Sequence, residues 1–175
     1  STDPASLAGT TGLEYVLEKF LRDKTFDDLP IKRSVTSVSL KTGEEVVIDE
    51  GDVISAVLAT IAIPGVFPSM GSDVLVDGGV LDPVPVSPAR ALNPSVPVVA
   101  VTLHAKPDGY SPIEDNAIGI EQFPEQIVER LAKTRIGESL KNMSIGYSLV
   151  SDQLAELNLE LTKPDVVVRP IVGHF

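Results

Sequence analysis

Hydrophobic and polar positions repeat with two different periods along the chain, and together they predict a mixture of helices and strands. Near the start, Thr11-Gly-Leu-Glu14 is typical of a capping box, and the apolar residues behind it recur with helical spacing. We expect that helix to pack its stripe into the core. The stripe consists of Leu13, Val16, Leu17, Phe20 and Leu21. Residues 34–40 and 44–48 alternate instead around a Lys41-Thr-Gly-Glu44 turn, which predicts a β-hairpin.

A second helix is predicted from about Val53 to Ile61, capped by Asp52 and ending before Pro64. The uncharged run that begins with this helix continues to Met70, a length that suggests a membrane span. Prolines and a glycine interrupt it between residues 64 and 68, which divides it into a short helix and a rigid apolar loop. No stable transmembrane span is therefore expected.

Short branched runs predict the remaining strands. Val74–Val76 is typical of a short buried strand, residues 83–92 lead through prolines into a short helix, and Val96–Leu103 predicts a fully buried strand. Val166–Val168 predicts the last strand. The order strand, helix, strand indicates an α/β sandwich.

Between the last two strands the sequence predicts a polar surface loop at 105–121, followed by helical periodicity from 123 to 161. Gly137 and Gly146 interrupt that periodicity, and we expect two helices there.

Composition limits the classes of protein that fit. A chain of 175 residues, 43% hydrophobic and 22% charged, is large enough for one globular domain covering residues 1–175. The net charge of −11 disfavours binding to nucleic acid, and it disfavours binding to anionic lipid through a basic face. A lipid substrate would therefore be bound through apolar contacts. The chain has no cysteine. Its histidines and carboxylates form no cluster with the spacing of metal ligands, and it has no glycine-rich loop that could bind a phosphate. No cofactor or metal is therefore expected. The compartment stays open, with the cytoplasm favoured.

The candidate for chemistry is Asp77, which follows the predicted strand at 74–76 and precedes Gly78 and Gly79. The glycines allow backbone angles that other residues avoid, so the turn would hold the carboxylate firmly, as a general base requires. The alternative is an ordinary tight turn with no chemical role.

Three segments resemble the patatin-like phospholipases. They are Thr42-Gly43 at the hairpin turn, Ala62-Ile-Pro-Gly-Val-Phe-Pro68, and Val76-Asp-Gly-Gly79 followed by Pro83 and Pro85. Weaker similarity extends from about Leu13 to Val172. The resemblance implies a three-layer α/β/α sandwich, present here as an incomplete C-terminal portion of the domain.

The resemblance also implies a serine acyl hydrolase with a Ser-Asp dyad, in which Asp77 is the base, and a lipid or small ester as substrate. Gly78, Gly79, Pro64, Gly65 and Phe67 would shape the site. Phe67 has two open interpretations, as a wall of the acyl pocket or as a plug of the core beneath the loop. No catalytic histidine is implied, so neither His104 nor His174 is expected to act.

The chain departs from the family pattern where the nucleophile should be. No serine stands in a Gly-x-Ser-x-Gly elbow, and no glycine-rich oxyanion loop is present. We therefore expect the serine to lie outside this chain and the chain alone to be inactive. Leu58 stands where relatives often have arginine and Thr60 where they often have serine, which puts any role of that arginine in doubt.

These departures support a second hypothesis, a non-catalytic binding or assembly module with the same fold. Under either hypothesis an incomplete sheet would expose apolar edges. The expected partner is therefore the missing N-terminal half of the domain or another copy of the chain.

Overall fold

The computed structural model describes residues 10–64, 67–103 and 135–170. The helices in these ranges are α1 (Thr11–Leu21), α2 (Val53–Thr60), α3 (Val86–Leu92) and α4 (Arg135–Thr162). The strands are β1 (Val35–Ser39), β2 (Glu44–Ile48), β3 (Leu75–Asp77), β4 (Val99–Val101) and β5 (Val166–Val168). Short 3-10 turns lie at Phe26–Asp28 and Gly78–Val80. This mixture confirms the predicted α/β fold.

The first sheet is antiparallel, with the strand order β2-β1-β3. Strands β1 and β2 form the predicted hairpin, in which Val35 lies opposite Ile48. Gly43 occupies the turn with a φ of 73°, a conformation that glycine adopts without the steric cost of a Cβ atom. Strand β3 pairs with the other edge of β1 and places Ser37 opposite Asp77.

The second sheet consists of β4 and β5, which run parallel with Val99 opposite Val166. Burial in β4 alternates, because Ala100 is buried whereas Val99 and Val101 are 55% and 59% exposed. A strand that packs one face on a core shows this period of two. The prediction of a fully buried strand is therefore wrong for the residues that the structure describes.

Two apolar clusters hold the elements together. One lies where α2 meets the Phe26–Asp28 turn and the hairpin, and it is built on Phe26, Val53 and Ala56. The other joins α3, β4 and α4 through Val84, Val86, Val98, Ala100, Ala155 and Leu159. The second cluster fixes α4 beside the turn that carries the candidate site, so a residue of that helix can reach it.

The stripe predicted on α1 is only partly buried. Leu13, Leu17 and Leu21 are half-buried, but Val16 is 50% and Phe20 is 71% exposed. Leu21 packs against the cluster around Phe26, so the inward face is narrower than the sequence periodicity predicts.

The start of α1 differs from the predicted capping box. Thr10, not Thr11, is the N-cap, and its hydroxyl donates to the Glu14 carboxylate instead of closing a box. A capping box does form at Thr25, whose backbone N–H donates to Asp28 at 2.8 Å. The prediction placed the box at the wrong threonine because several polar residues precede apolar runs in this part of the chain.

Helix α4 runs from Arg135 to Thr162 and continues through Gly137 and Gly146, so the predicted irregularities are absent from this described helix. Residues 105–121 and 123–134, where the loop and the start of the helical region were predicted, lie outside the described residues. None of the described helices is both long and apolar enough to cross a membrane.

Candidate active site

Asp77 is the last residue of β3, whereas the sequence predicted it to be the first residue after the strand. The strand begins at Leu75, because Val74 has a φ of 54° and belongs to the preceding turn. The carboxylate therefore stands at the end of a strand that is hydrogen-bonded to β1, and its backbone is fixed by the sheet.

Two hydrogen bonds fix the Asp77 turn. The Gly79 N–H donates to Asp77 Oδ1 at 2.8 Å, so the turn itself orients the carboxylate. The Asp77 N–H donates to the Ala62 carbonyl at 3.0 Å. This second bond joins two segments that the sequence pattern identified separately, the one beginning at Ala62 and the Asp-Gly-Gly turn.

Position 78 needs a glycine because a side chain would not fit there, and not because of its backbone angles. Neither Gly78 nor Gly79 has a φ in the left-handed region, so the reason predicted from the sequence is wrong. A Cβ atom on Gly78 would lie 2.5 Å from the Thr36 carbonyl oxygen and as close to its hydroxyl. The turn therefore lies directly against β1, and only glycine fits there.

Thr36 also connects this turn to α2. Its carbonyl oxygen accepts a hydrogen bond from the Thr60 hydroxyl, so the hydroxyl that Thr60 shares with serine has a structural role. Leu58, two residues earlier, is 5% exposed and packs in the interior. An arginine at that buried position would need an ion-pair partner, which leucine does not.

Asp77 opens onto a cleft of about 760 Å³. The apolar residues that form its wall include Ile63, Pro83, Pro85, Pro88, Ala89 and Leu92. Lys32 and Arg33 lie at its exposed side, and Asp82 and Asp152 also line it. An apolar wall with a few polar groups is typical of a site for a small amphiphilic ligand. Within the described ranges, no group of three or more acidic or histidine side chains is placed to hold a metal ion.

Tyr147 enters the same cleft from α4 and was not identified from the sequence. Its hydroxyl lies 3.5 Å from the position that a Cβ atom on Gly79 would occupy, and Asp77 Oδ1 lies 3.2 Å from that same position. No local pattern marks Tyr147, because only the packing of α4 brings it to Asp77.

Burial shifts both ionisable groups of this pair. Burial raises the pKa of Asp77, and the hydrogen bond from Gly79 partly opposes that rise. Burial and then the neighbouring negative charge of Asp77 raise the pKa of Tyr147 to about 12. At neutral pH the tyrosine is therefore a protonated donor, and the carboxylate is more basic than an ordinary aspartate.

The other predicted site residues are less central. Pro64 is exposed and Phe67 is half-buried, and in the described structure neither lines the cleft, whose wall is instead formed by Ile63. Gly65, His104 and His174 lie outside the described residues.

Three serines line the cleft with Asp77, namely Ser34, Ser148 and Ser151. Ser148 and Ser151 lie inside α4, where backbone N–H groups already donate to carbonyls one turn back. Ser34 immediately precedes β1. A nucleophile elbow differs from all three because its turn leaves backbone N–H groups free for an oxyanion.

The structure combines an α/β fold with a short strand that ends at Asp77, directly before two glycines and beside a cleft with an apolar wall. This is the arrangement expected of a patatin-like protein. The chain belongs to the patatin-like phospholipase family, whose model matches residues 2–90. That match includes all three segments recognised in the sequence.

The chain is also similar to uncharacterised NTE family proteins of Mycobacterium bovis and of two strains of Mycobacterium tuberculosis. Each is 34% identical over 114 residues, which is 61% of this chain and 31% of the relative. The aligned part thus spans about a third of the length of these relatives.

Proposed function

We propose that this chain is part of a serine acyl-ester hydrolase that acts on lipids or small lipid-like esters. Asp77 would be the base of a Ser-Asp dyad whose serine lies outside this chain. The observation that carries the proposal is the half-buried Asp77 carboxylate, anchored by the Gly79 N–H at 2.8 Å and open to a cleft with an apolar wall. Membership of the patatin-like phospholipase family supports lipid hydrolysis in general.

The chemistry assigned to Asp77 is proton transfer. The carboxylate accepts the proton of the serine hydroxyl as the serine oxygen attacks the acyl carbon, and it returns that proton to the leaving alcohol. In the second half of the reaction it accepts a proton from water, which attacks the acyl-enzyme, and returns the proton to serine. The raised pKa of Asp77 suits this cycle because a more basic carboxylate accepts the serine proton more readily.

In this proposal the chain alone is inactive. The serines that line its cleft lie in a helix or before a strand, where no elbow supplies free backbone donors. The expected measurement is a lack of ester hydrolysis by the isolated 175-residue chain under conditions in which the full-length protein hydrolyses the same ester.

The test of the dyad is Asp77→Asn in the full-length protein, assayed with p-nitrophenyl esters of increasing chain length. We expect kcat to fall by at least about a hundredfold, because asparagine fits the turn but cannot accept a proton. Asp52→Asn is the matched control, since it removes the same charge from a helix cap that asparagine also forms. Near-normal hydrolysis by Asp77→Asn would refute the proposal.

A second candidate is a patatin-like binding or assembly module without catalysis. It is favoured by the lack of a Gly-x-Ser-x-Gly elbow in this sequence and by leucine at position 58. A serine-reactive fluorophosphonate probe separates the candidates. Covalent labelling of the full-length protein would exclude the module, and no labelling would favour it.

We also propose that the outer face of the β4–β5 sheet is covered by another part of the domain or by another copy of the chain. This face exposes Val99, Val101, Leu103, Val166 and Val168, whereas Val167 lies opposite the buried Ala100 on the other face. A contiguous apolar surface of this kind is costly in water. Light scattering of the isolated chain should therefore show association, and a stable monomer would contradict the proposal.

A further inference from the structure

Tyr147 is a polar residue beside Asp77 to which the proposed mechanism gives no task. It lies on α4, is half-buried, and lines the cleft together with Asp77. It is one of three tyrosines in the chain. Of the other two, Tyr15 is 74% exposed on α1 and makes no part of the cleft wall.

The Asp77 carboxylate and the Tyr147 hydroxyl both lie close to Gly79 in the cleft. The two oxygens lie 3.2 Å and 3.5 Å from the point where a Cβ atom on Gly79 would stand. Because glycine carries no side chain there, a ligand can approach Gly79 in the cleft with an acceptor and a donor both nearby. This is the arrangement that an ester needs when it lies beside a general base.

We propose that the Tyr147 hydroxyl donates a hydrogen bond to an oxygen of the ester group when the acyl substrate lies beside Asp77. This inference rests on the proposed function, since it assigns a substrate contact to the same cleft. It makes Tyr147 a substrate-contacting residue that selects ligands with a carbonyl or ester oxygen over purely apolar ones.

The different roles of the Tyr147 hydroxyl and the Asp77 carboxylate follow from their protonation states. The tyrosine keeps its proton at neutral pH, because its pKa is raised to about 12, so it donates and does not act as a base. Asp77 Oδ1 already accepts from Gly79, which holds the carboxylate in the turn. The tyrosine proton is available to a ligand oxygen, and the apolar residues that also line the cleft strengthen such a hydrogen bond by reducing the local dielectric.

The experiment is Tyr147→Phe in the full-length protein, with Tyr15→Phe as the matched control. Phenylalanine keeps the ring and removes only the hydroxyl. Binding of methyl decyl ketone, which carries the carbonyl but cannot be hydrolysed, is measured by calorimetry. We expect Tyr147→Phe to weaken ketone binding by roughly three- to tenfold, as for the loss of one hydrogen bond, and Tyr15→Phe to leave it unchanged.

Hydrolysis of p-nitrophenyl esters by the same variants gives the second readout. Tyr147→Phe should raise KM by a similar factor and lower kcat less, in contrast to Asp77→Asn, which should lower kcat. A melting curve of each variant reports whether the hydroxyl acts only in stability.

The outcomes separate this inference from the proposed function. Weaker ketone binding in a protein that does not hydrolyse esters would support the Tyr147 contact and overturn the hydrolase. Unchanged ketone affinity in Tyr147→Phe would overturn the Tyr147 contact whether or not the protein hydrolyses esters. A lowered melting temperature with unchanged ketone affinity would assign the hydroxyl a structural role and overturn it equally.

Discussion

Substitution of Gly78 by alanine tests whether the Asp-Gly-Gly turn depends on space. The added Cβ atom would stand 2.5 Å from the Thr36 carbonyl oxygen and 2.7 Å from the carbonyl carbon, where ordinary contacts begin at 3.4 Å. The obstacle is the backbone of β1, which is hydrogen-bonded to β2 and β3 and cannot rotate away as a side chain would. Either β1 or the turn must therefore move by about 1 Å.

The size of the effect follows from that displacement. Overpacking in a well-packed interior costs about 1–3 kcal/mol, and a backbone obstacle places Gly78→Ala at the upper end, about 3 kcal/mol. For a domain of about 150–250 residues, 1 kcal/mol corresponds to roughly 2–4 °C in melting temperature, so we expect the transition of the domain that contains Gly78 to fall by about 6–12 °C. If the full-length protein is the proposed hydrolase, its ester hydrolysis should also fall, because the shifted turn carries Asp77.

The assay is thermal and urea denaturation of the full-length protein, with Gly146→Ala as the control. Nothing lies within 4 Å of the Cβ position at Gly146, which is inside α4. Alanine there should raise stability by about 1 kcal/mol through helix propensity. Equal melting temperatures for Gly78→Ala and wild type would refute the steric reasoning, because the observed distances leave no way to accommodate the methyl group without movement.

Three further substitutions test local features. Asp77→Asn should raise the melting temperature at neutral pH but not below pH 3.8. The pKa of Asp77 is higher in the folded protein than in the unfolded chain, so its carboxyl group contributes stability below the unfolded pKa, and this contribution is lost as the pH rises through the folded pKa. Asp165→Asn should flatten the acid limb of a stability-pH curve. The Val98 N–H lowers the pKa of Asp165, so its contribution is present above pH 3.8 and is lost as the pH falls through the folded pKa. Asp52→Ala should cost about 1 kcal/mol in urea denaturation, because Asp52 caps α2 by accepting from the Ser55 N–H at 2.7 Å.

The features that the sequence predicted well are set by neighbouring residues. The hairpin has alternating strands and a glycine in its turn, and α2 has an aspartate cap at one end and Pro64 beyond the other. In each case the residues that determine the element lie within a few positions of it. Local chemistry is therefore sufficient to locate these elements.

The features that were missed depend on contacts between distant segments. Val99 and Phe20 look like core residues in sequence, but their burial depends on which surface lies opposite, and in the described structure both are exposed. The role of Gly78 depends on Thr36, which is far away along the chain. Tyr147 is further still, and only the cluster that packs α4 against α3 and β4 brings it to Asp77.

The free-energy cost of Asp77 bears on the choice between a hydrolase and a binding module. Its carboxylate is half-buried, and no ion pair to it occurs among the described residues, so burial disfavours its ionised form. Asparagine could accept the same hydrogen bond from Gly79 without that cost. A module that used the turn only for its shape would therefore gain stability from asparagine and lose nothing. A hydrolase would gain the same stability and lose its base. If the Asp77→Asn variant is more stable and inactive toward esters, the carboxylate is retained for proton transfer, because the folded state is more stable with the amide at this position.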